Sequence, residues 1–251
     1  MIELAPEAVA LLVLAAFAAG LVDAIAGGGG LVTVPALLLA GLPPAAAIGT
    51  NKLQGVWGAG AAAIAYARGG HVDLRRQAPA AAIAFVAAAA GASLVLVVPV
   101  EALRAGLPVV LIGVAAFFAL RPGLSDVDRA QRLGAGAFAA TAVPLVAAYD
   151  GLLGPGAGSF YMIAFVALRG FGVLKAVAHT KLLNFASNAG GLAVFAASGV
   201  IWWWLGLAMA AGQVAGASLG ARLAMRSGAR LVRPLVVAVS LALAASLLLR
   251  G

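Results

Sequence analysis

The chain has 251 residues, 64% of them hydrophobic and only 10% charged, with a net charge of +8 and no cysteine. A soluble domain is typically about a quarter charged, so a chain this short and apolar cannot cover itself against water, and its surplus apolar area must face lipid. The missing cysteine excludes disulfides, thiol nucleophiles and cysteine–metal sites. Surplus arginine on such a chain fits loops beside anionic lipid, not nucleic acid.

In chain order, the first apolar segment is Leu4–Val22. The N-terminus carries Glu3 and Glu7 and no Lys or Arg, so it lacks the positive region of a secretory signal and reads as a retained helix. A short apolar stretch, Leu31–Ala40, precedes Ala47–Ala67, Ala78–Val100 and Leu103–Leu120. A polar loop runs from Arg121 to Arg132. The second set is Leu133–Ala148, a short stretch Phe160–Leu168, then Leu174–Ala197, Ile201–Leu223 and Leu231–Leu249. Several of these reach the roughly 17–25 residues that span a hydrocarbon core.

The two sets are related. Gly20-Leu-Val-Asp23…Gly27-Gly-Gly-Gly30 has its counterpart in Ala148-Tyr-Asp150-Gly151…Gly154-Pro-Gly156-Ala-Gly158. Thr50-Asn51-Lys52-Leu53 matches His179-Thr180-Lys181-Leu182, and Gly91-Ala-Ser-Leu94 recurs as Gly216-Ala-Ser-Leu219. The order is kept, so the chain reads as an internal repeat. Five segments per half also place twelve of the sixteen Lys and Arg on one side, the cytoplasmic side by the positive-inside rule, with both termini outside. Treating the short stretches as non-spanning loops would split those charges between the two sides.

The expected fold class is therefore an all-α integral membrane protein. About ten transmembrane segments form two inverted five-segment repeats, with short or broken helices at the Gly-rich motifs. Residues 1–121 form the first repeat, 122–132 a cytoplasmic linker and 133–251 the second repeat.

The Gly-rich breaks are the first candidate site. Backbone without helix partners at membrane depth is tolerated where it is buried in protein or lines a wet cavity. A half-helix starting after such a break aims its amide end at an anion. This singles out Gly28, Gly29 and Gly30 in the first half and Gly156, Gly158 and Ser159 in the second. Close helix packing or an interfacial turn is the structural alternative. A dinucleotide fingerprint is excluded, since no Asp or Glu follows Gly158 anywhere in the chain.

Lys52 and Lys181 lie inside apolar segments, where a bare ammonium is costly. Each either meets an anionic substrate, pairs with the aspartate of its own half (Asp23–Lys52, Asp150–Lys181) or snorkels to an interface. Polar neighbours surround them: Thr50, Asn51 and Gln54 in one half, His179, Thr180, Asn184, Ser187 and Asn188 in the other. Lys181, Asn184 and Asn188 share a helical face, and interhelical hydrogen bonding is the plainer explanation. Asp23 and Asp150 are candidate proton carriers. Trp202, Trp203 and Trp204 fit an interfacial anchor. The two histidines lie far apart in sequence, so no metal site or other cofactor site is expected, and nothing points to an enzyme.

The Asp23…Gly30 run, Pro35, Gly49-Thr50-Asn51-Lys52, Tyr149-Asp150-Gly151…Ser159-Phe160, His179…Asn188 and Gly228-Ala-Arg230-Leu-Val-Arg233-Pro234 together resemble the TauE/SafE family over essentially the whole chain. The resemblance implies an exporter of sulfite, a sulfonate or a related organosulfur anion, in the bacterial cytoplasmic membrane. The residue-level reading expects a small-anion transporter partnered by the bilayer and by a coupling ion such as H+. An anion channel of the same architecture, or a carboxylate carrier, is the alternative.

Overall fold

The computed structural model describes residues 4–94 and 125–228, with 230, 231 and 234. The expected segment Leu103–Leu120, the end of Ala78–Val100 and nearly all of Leu231–Leu249 lie outside the described residues. The described residues are mostly helical, joined by short turns and by a longer loop over 125–134. In the first half they form α1 (Pro6–Ala26), α2 (Gly30–Leu39), α3 (Pro44–Arg68) and α4 (Leu74–Leu94). In the second they form α5 (Ala135–Ala140), α6 (Ala142–Leu152), α7 (Ala157–Leu168), α8 (Val173–Ala197) and α9 (Trp203–Ser227).

Local chemistry sets the boundaries. Pro6 and Pro44 open α1 and α3 at positions where the missing N–H costs nothing. α1 ends at Gly27, whose φ of +75° suits glycine, and α7 begins after Gly156 at φ +85°. The expected segment Leu133–Ala148 is divided at Thr141, whose φ and ψ of −121° and −70° interrupt the helix. Pro144 lies three residues on and has no N–H to give to the Ala140 carbonyl. At the break the Thr141 N–H turns to Phe138 O at 3.4 Å, and Thr141 Oγ1 donates to Ala137 O at 2.7 Å.

Among the described residues, three stretches are long and apolar enough to cross a membrane: α1, α4 and Ala135–Leu152. The short helices α2 and α7, with 10 and 12 residues, are apolar but cannot span alone. α3, α8 and α9 have 25 residues each, roughly 37 Å of helix, and carry buried polar side chains. The outward faces are apolar, with Leu11, Leu14, Leu39, Val86 and Leu145 all exposed. Hydrocarbon is the solvent that suits them.

The halves interlock. α1 of the first half packs along α9 of the second, and α6 of the second packs against α4 of the first. α3 and α8 meet at the centre, α3 also against α9 and α8 also against α4. Glycines make the exchange possible. A Cβ on Gly216 in α9 would sit 1.9 Å from Phe17 O in α1, and one on Gly91 in α4 would sit 2.0 Å from Ala148 O in α6. These two glycines are repeat counterparts, and each seats a helix of the opposite half.

The loop from Ser125 to Gly134 is fastened to the α7–α8 turn. Gly172 N donates to Asp128 Oδ1 (2.8 Å), Leu174 N to Asp126 Oδ1 (3.0 Å) and Arg132 N to Leu168 O (3.0 Å). Asp128 also pairs with Lys175. The Gly172 N–H first, and Lys175 second, hold the Asp128 carboxyl below the usual carboxylate range.

Two outcomes follow from this packing. Gly91→Ala and Gly216→Ala each lower stability by about 1–3 kcal/mol through forced helix separation. Gly136→Ala, in α5 with nothing within 4 Å of its added Cβ, raises stability by about 0.5–1 kcal/mol. Thermal unfolding of detergent-purified protein reads both. The loop fastening is acid-labile, because a depressed carboxylate stabilises fully above its ordinary pKa and loses that contribution as pH falls through the lowered value. Exchange of the Gly172 amide, corrected for intrinsic rates, should accelerate on acidification in the natural protein. In Asp128→Asn that acceleration should be absent.

Candidate substrate and ion site

The two glycine breaks touch. A Cβ on Gly27 would lie 2.5 Å from Ser159 N and from the Gly158 carbonyl carbon, and one on Gly158 would lie 2.9 Å from Gly27 Cα. Ser159 Oγ closes the junction by donating to Ala26 O at 3.1 Å. Backbone meets backbone at the centre because neither break carries a side chain there. The N-termini of α2 and α7 therefore arrive at one place.

Beside this junction lies a polar cavity of about 30 Å³, above the roughly 10–15 Å³ that one water needs. Gly28, Gly29, Gly30, Gly156 and Gly158 border it, as do Asn51, Asn184 and Asn188. Asp23 and Asp150 reach its wall from the two halves. Ten of the residues singled out from sequence are thus brought together.

Lys52 and Lys181 are fully buried, yet neither borders the cavity. Of the alternatives for the two lysines, pairing with the aspartate of the same half does not occur, and each meets the aspartate of the other half. Lys52 Nζ binds Asp150 Oδ1 at 2.6 Å and also donates to the Asp150 carbonyl. Lys181 Nζ binds Asp23 Oδ2 at 3.2 Å and donates to the Asp23 carbonyl. The reason is the helix exchange, which sets α3 and α8 between the ends of α1 and α6. Each aspartate is held further. Asp23 Oδ1 accepts from Gly28 N (3.0 Å) and Gly29 N (3.1 Å), and Asp150 Oδ2 accepts from Ser187 Oγ. Snorkelling is excluded for both lysines by their complete burial.

The remaining expected residues serve the frame around the cavity. Asn51 Oδ1 receives Thr33 Oγ1 (2.5 Å) and Gln54 Nε2 (3.0 Å). Thr50 Oγ1 accepts from Trp202 N at 3.1 Å, and Thr180 Oγ1 donates to Ala176 O within its helix. His179 is elsewhere. It packs edge-on against Phe171 and tilted against Phe165, and borders a separate cleft beside Arg76, Gln77 and Arg169. Among the described residues no cluster of three or more metal-binding side chains occurs.

Sequence reasoning missed Gln213, which borders the cavity from α9 and is 4% exposed. The repeat conceals it: at the offset that relates Gly216 to Gly91, position 213 corresponds to Ala88. A lone amide inside the apolar segment Ile201–Leu223 was the available signal. Gly55 and Gly154 also border the cavity. Gly154 separates it from Lys52, since a Cβ there would lie 2.8 Å from Lys52 Nζ.

Comparison with known proteins now has a geometry to attach to. Residues 12–247 match the family model described as sulfite exporter TauE/SafE. The chain belongs to the TauE/SafE family. It is 51% identical over 248 residues to "Probable membrane transporter protein ORF9" of a Sinorhizobium species, covering 99% of this chain and 95% of that one. It is 45% identical to "Probable membrane transporter protein YfcA" of Escherichia coli K12, over 97% of this chain and 90% of the relative. A "Probable membrane transporter protein" of Haemophilus influenzae is 41% identical over 96% and 94%. No solved structure matches the chain. The paired motifs of this TauE/SafE chain thus have a three-dimensional counterpart in the crossed ion pairs.

The crossing is testable by double-mutant cycles on unfolding free energy. Lys52→Met or Asp150→Asn alone costs about 3–5 kcal/mol, because the other charge stays buried without its partner. Combined, they should show a coupling of about 0.5–3 kcal/mol. A cycle on Lys52 and Asp23 should show a smaller one, and a larger coupling within the half than across the halves would refute the crossed assignment.

Proposed function

We propose that this TauE/SafE protein is a secondary transporter that exports a small anion, a sulfite, sulfonate or related organosulfur oxyanion, across the bacterial cytoplasmic membrane. The observation that carries the reading is the meeting of two helix N-termini, α2 and α7, at one polar cavity flanked by the crossed Lys–Asp pairs. Anions favour such termini, where the positive end of the helix dipole and free N–H groups coincide. Discontinuous helices converging at mid-membrane are the usual substrate site of secondary transporters. The family name and the names of the relatives point to the same class.

The substrate site comprises Gly28–Gly30, Asn51, Gly156, Gly158, Asn184 and Asn188. Thr50, Gln54, Ser159, Thr180 and Ser187 hold the helices that present them. Lys52 and Lys181 supply positive charge when an entering anion competes with Asp150 or Asp23 for the ammonium. Asp23 and Asp150 are the groups through which a coupling cation acts, the proton being the simplest case. A cation that neutralises either carboxylate frees its lysine for the anion, so cation and anion binding favour one another. The ten-segment inverted repeat, with both termini outside, provides the two alternating arrangements.

Uptake by proteoliposomes tests this with sulfite, sulfate, thiosulfate, sulfoacetate and a carboxylate. One or more sulfur oxyanions should be transported above the protein-free background. Loss of a buried charge contact costs about 2–5 kcal/mol, so Lys52→Ala and Lys181→Ala should each cut flux more than about tenfold while remaining monodisperse. Unchanged flux in both would remove the lysines from the site. Asp23→Asn and Asp150→Asn should lose the dependence of flux on a cation gradient, and full gradient-driven flux in both would remove the aspartates.

A further inference from the structure

Three buried amides on the cavity wall have nothing in the chain to donate to. Asn51 on α3, Asn184 on α8 and Gln213 on α9 border the cavity, and each is more than nine-tenths buried. Asn51 Oδ1 is taken by Thr33 and Gln54, and the side-chain oxygens of Asn184 and Gln213 are shut inside the protein. The nitrogens meet the glycine wall instead. A Cβ would lie 3.2 Å from Asn51 Nδ2 at Gly30, 2.7 Å from Asn184 Nδ2 at Gly158 and 3.3 Å from Gln213 Nε2 at Gly29. Glycine at those positions leaves the three NH2 groups uncovered, and none of them meets an acceptor among the described residues. Room is also made for the Gln213 stem, since a Cβ on Gly58 of α3 would sit 2.3 Å from Gln213 Cγ. We propose that Gln213 determines specificity in the anion site: its NH2 group is the third of three neutral donors, with those of Asn51 and Asn184, that together recognise an anion carrying three oxygens on one centre.

Packing does not ask for glutamine at this place. A buried amide whose oxygen has no donor is costly, and Gln213 Oε1 is such an oxygen. Methionine would fill the same slot without that cost, so what the glutamine adds is its NH2 group. The repeat separates frame from recognition in the same way. The ion-paired residues occur in both halves, Asp23 with Asp150 and Lys52 with Lys181. The positions matched to Asn51, Asn184 and Gln213 are Thr180, Gly55 and Ala88, none of them an amide. Groups that only held two like halves together would recur in both, whereas one anion lying between the halves needs an unmatched set. The number of donors then selects the ligand. A pyramidal sulfite or a sulfonate offers three oxygens, while a carboxylate offers two and leaves one buried donor unpaired. Sites built to hydrogen-bond a group reject the analogue that lacks it for this reason.

The inference rests on the reading of this cavity as the anion site, and methanesulfonate and acetate test it as a matched pair. Both are monoanions with one methyl group, and they carry three and two oxygens. Purified full-length protein is titrated with the sodium salt of each at constant ionic strength, and affinity is read from titration calorimetry and from the saturable rise in melting temperature that a ligand of the folded state produces. Methanesulfonate should bind about tenfold more tightly than acetate, the effect of one further hydrogen bond to a charged group. Gln213→Met should melt no lower than the natural protein without ligand, bind methanesulfonate about tenfold more weakly and bind acetate as before. A glutamine kept for structure would instead lower the melting temperature and weaken both anions alike. Equal affinity for the two anions in the natural protein overturns the proposal whether or not the variant folds, and so does an unchanged preference in a folded variant. Either result, with sulfur-oxyanion flux intact in proteoliposomes, leaves the transport reading standing. A preference that depends on Gln213, with no flux of any anion, keeps the specificity site and removes the transport reading instead.

Discussion

Two buried ion pairs that cross between the halves are the constraint on which the rest of the molecule depends. An ammonium group at membrane depth must find a carboxylate, and here each finds the one supplied by the opposite half. That requirement brings α3 and α8 to the centre and sets the ends of α1 and α6 on either side of them. The glycines at 91 and 216 follow from it, because helices exchanged between halves must approach until backbone touches backbone. The pairs are also the groups an ion or substrate must disturb on binding, so the element that fastens the fold is the element on which the proposed transport acts.

The cavity beside the pairs has a double character. Helix N-termini offer it donors and positive potential, while the carboxylates of Asp23 and Asp150 bring negative charge to its wall. Such a surface suits a pair of opposite charges better than either charge alone. An anion brought by itself into a neutral, low-dielectric surrounding pays a desolvation cost that a companion cation reduces. In the proposed transport cycle, coupling of the anion to a cation needs no remote communication, since both would act at the wall that Asp23 and Asp150 share.

Much of the site was legible in the sequence, and for identifiable reasons. The breaks at Gly27–Gly30 and Gly154–Gly158 were visible because glycine is rare in the interior of a good helix and because they recur in register. Asn51, Asn184 and Asn188 stood out as polar side chains in apolar segments. The lysine partners were not legible, because spacing along a chain says nothing about which half a helix packs against. Sequence proximity suggested Asp23 for Lys52, and three dimensions supply Asp150. His179 shared a motif with the site residues but faces a different cleft, since neighbours along a helix point in different directions. Gln213 escaped notice because the repeat has no polar residue at the matching position. The interruption at Thr141 lay hidden in an unbroken apolar run and is explained by Pro144 three residues later.

The exchange of partners between halves also orders events during synthesis. The first half of the chain reaches the membrane carrying Asp23 and Lys52, and neither has its final counterion until the second half has supplied Asp150 and Lys181. Until then two charged side chains sit on helices that have no compensation for them, and α1 lacks the helix along which it lies in the finished protein. The first half is therefore a waiting intermediate, dependent on water, lipid headgroups or the insertion machinery to shelter its charges. Completion comes in two stages, when α6 delivers Asp150 to Lys52 and α8 then delivers Lys181 to Asp23.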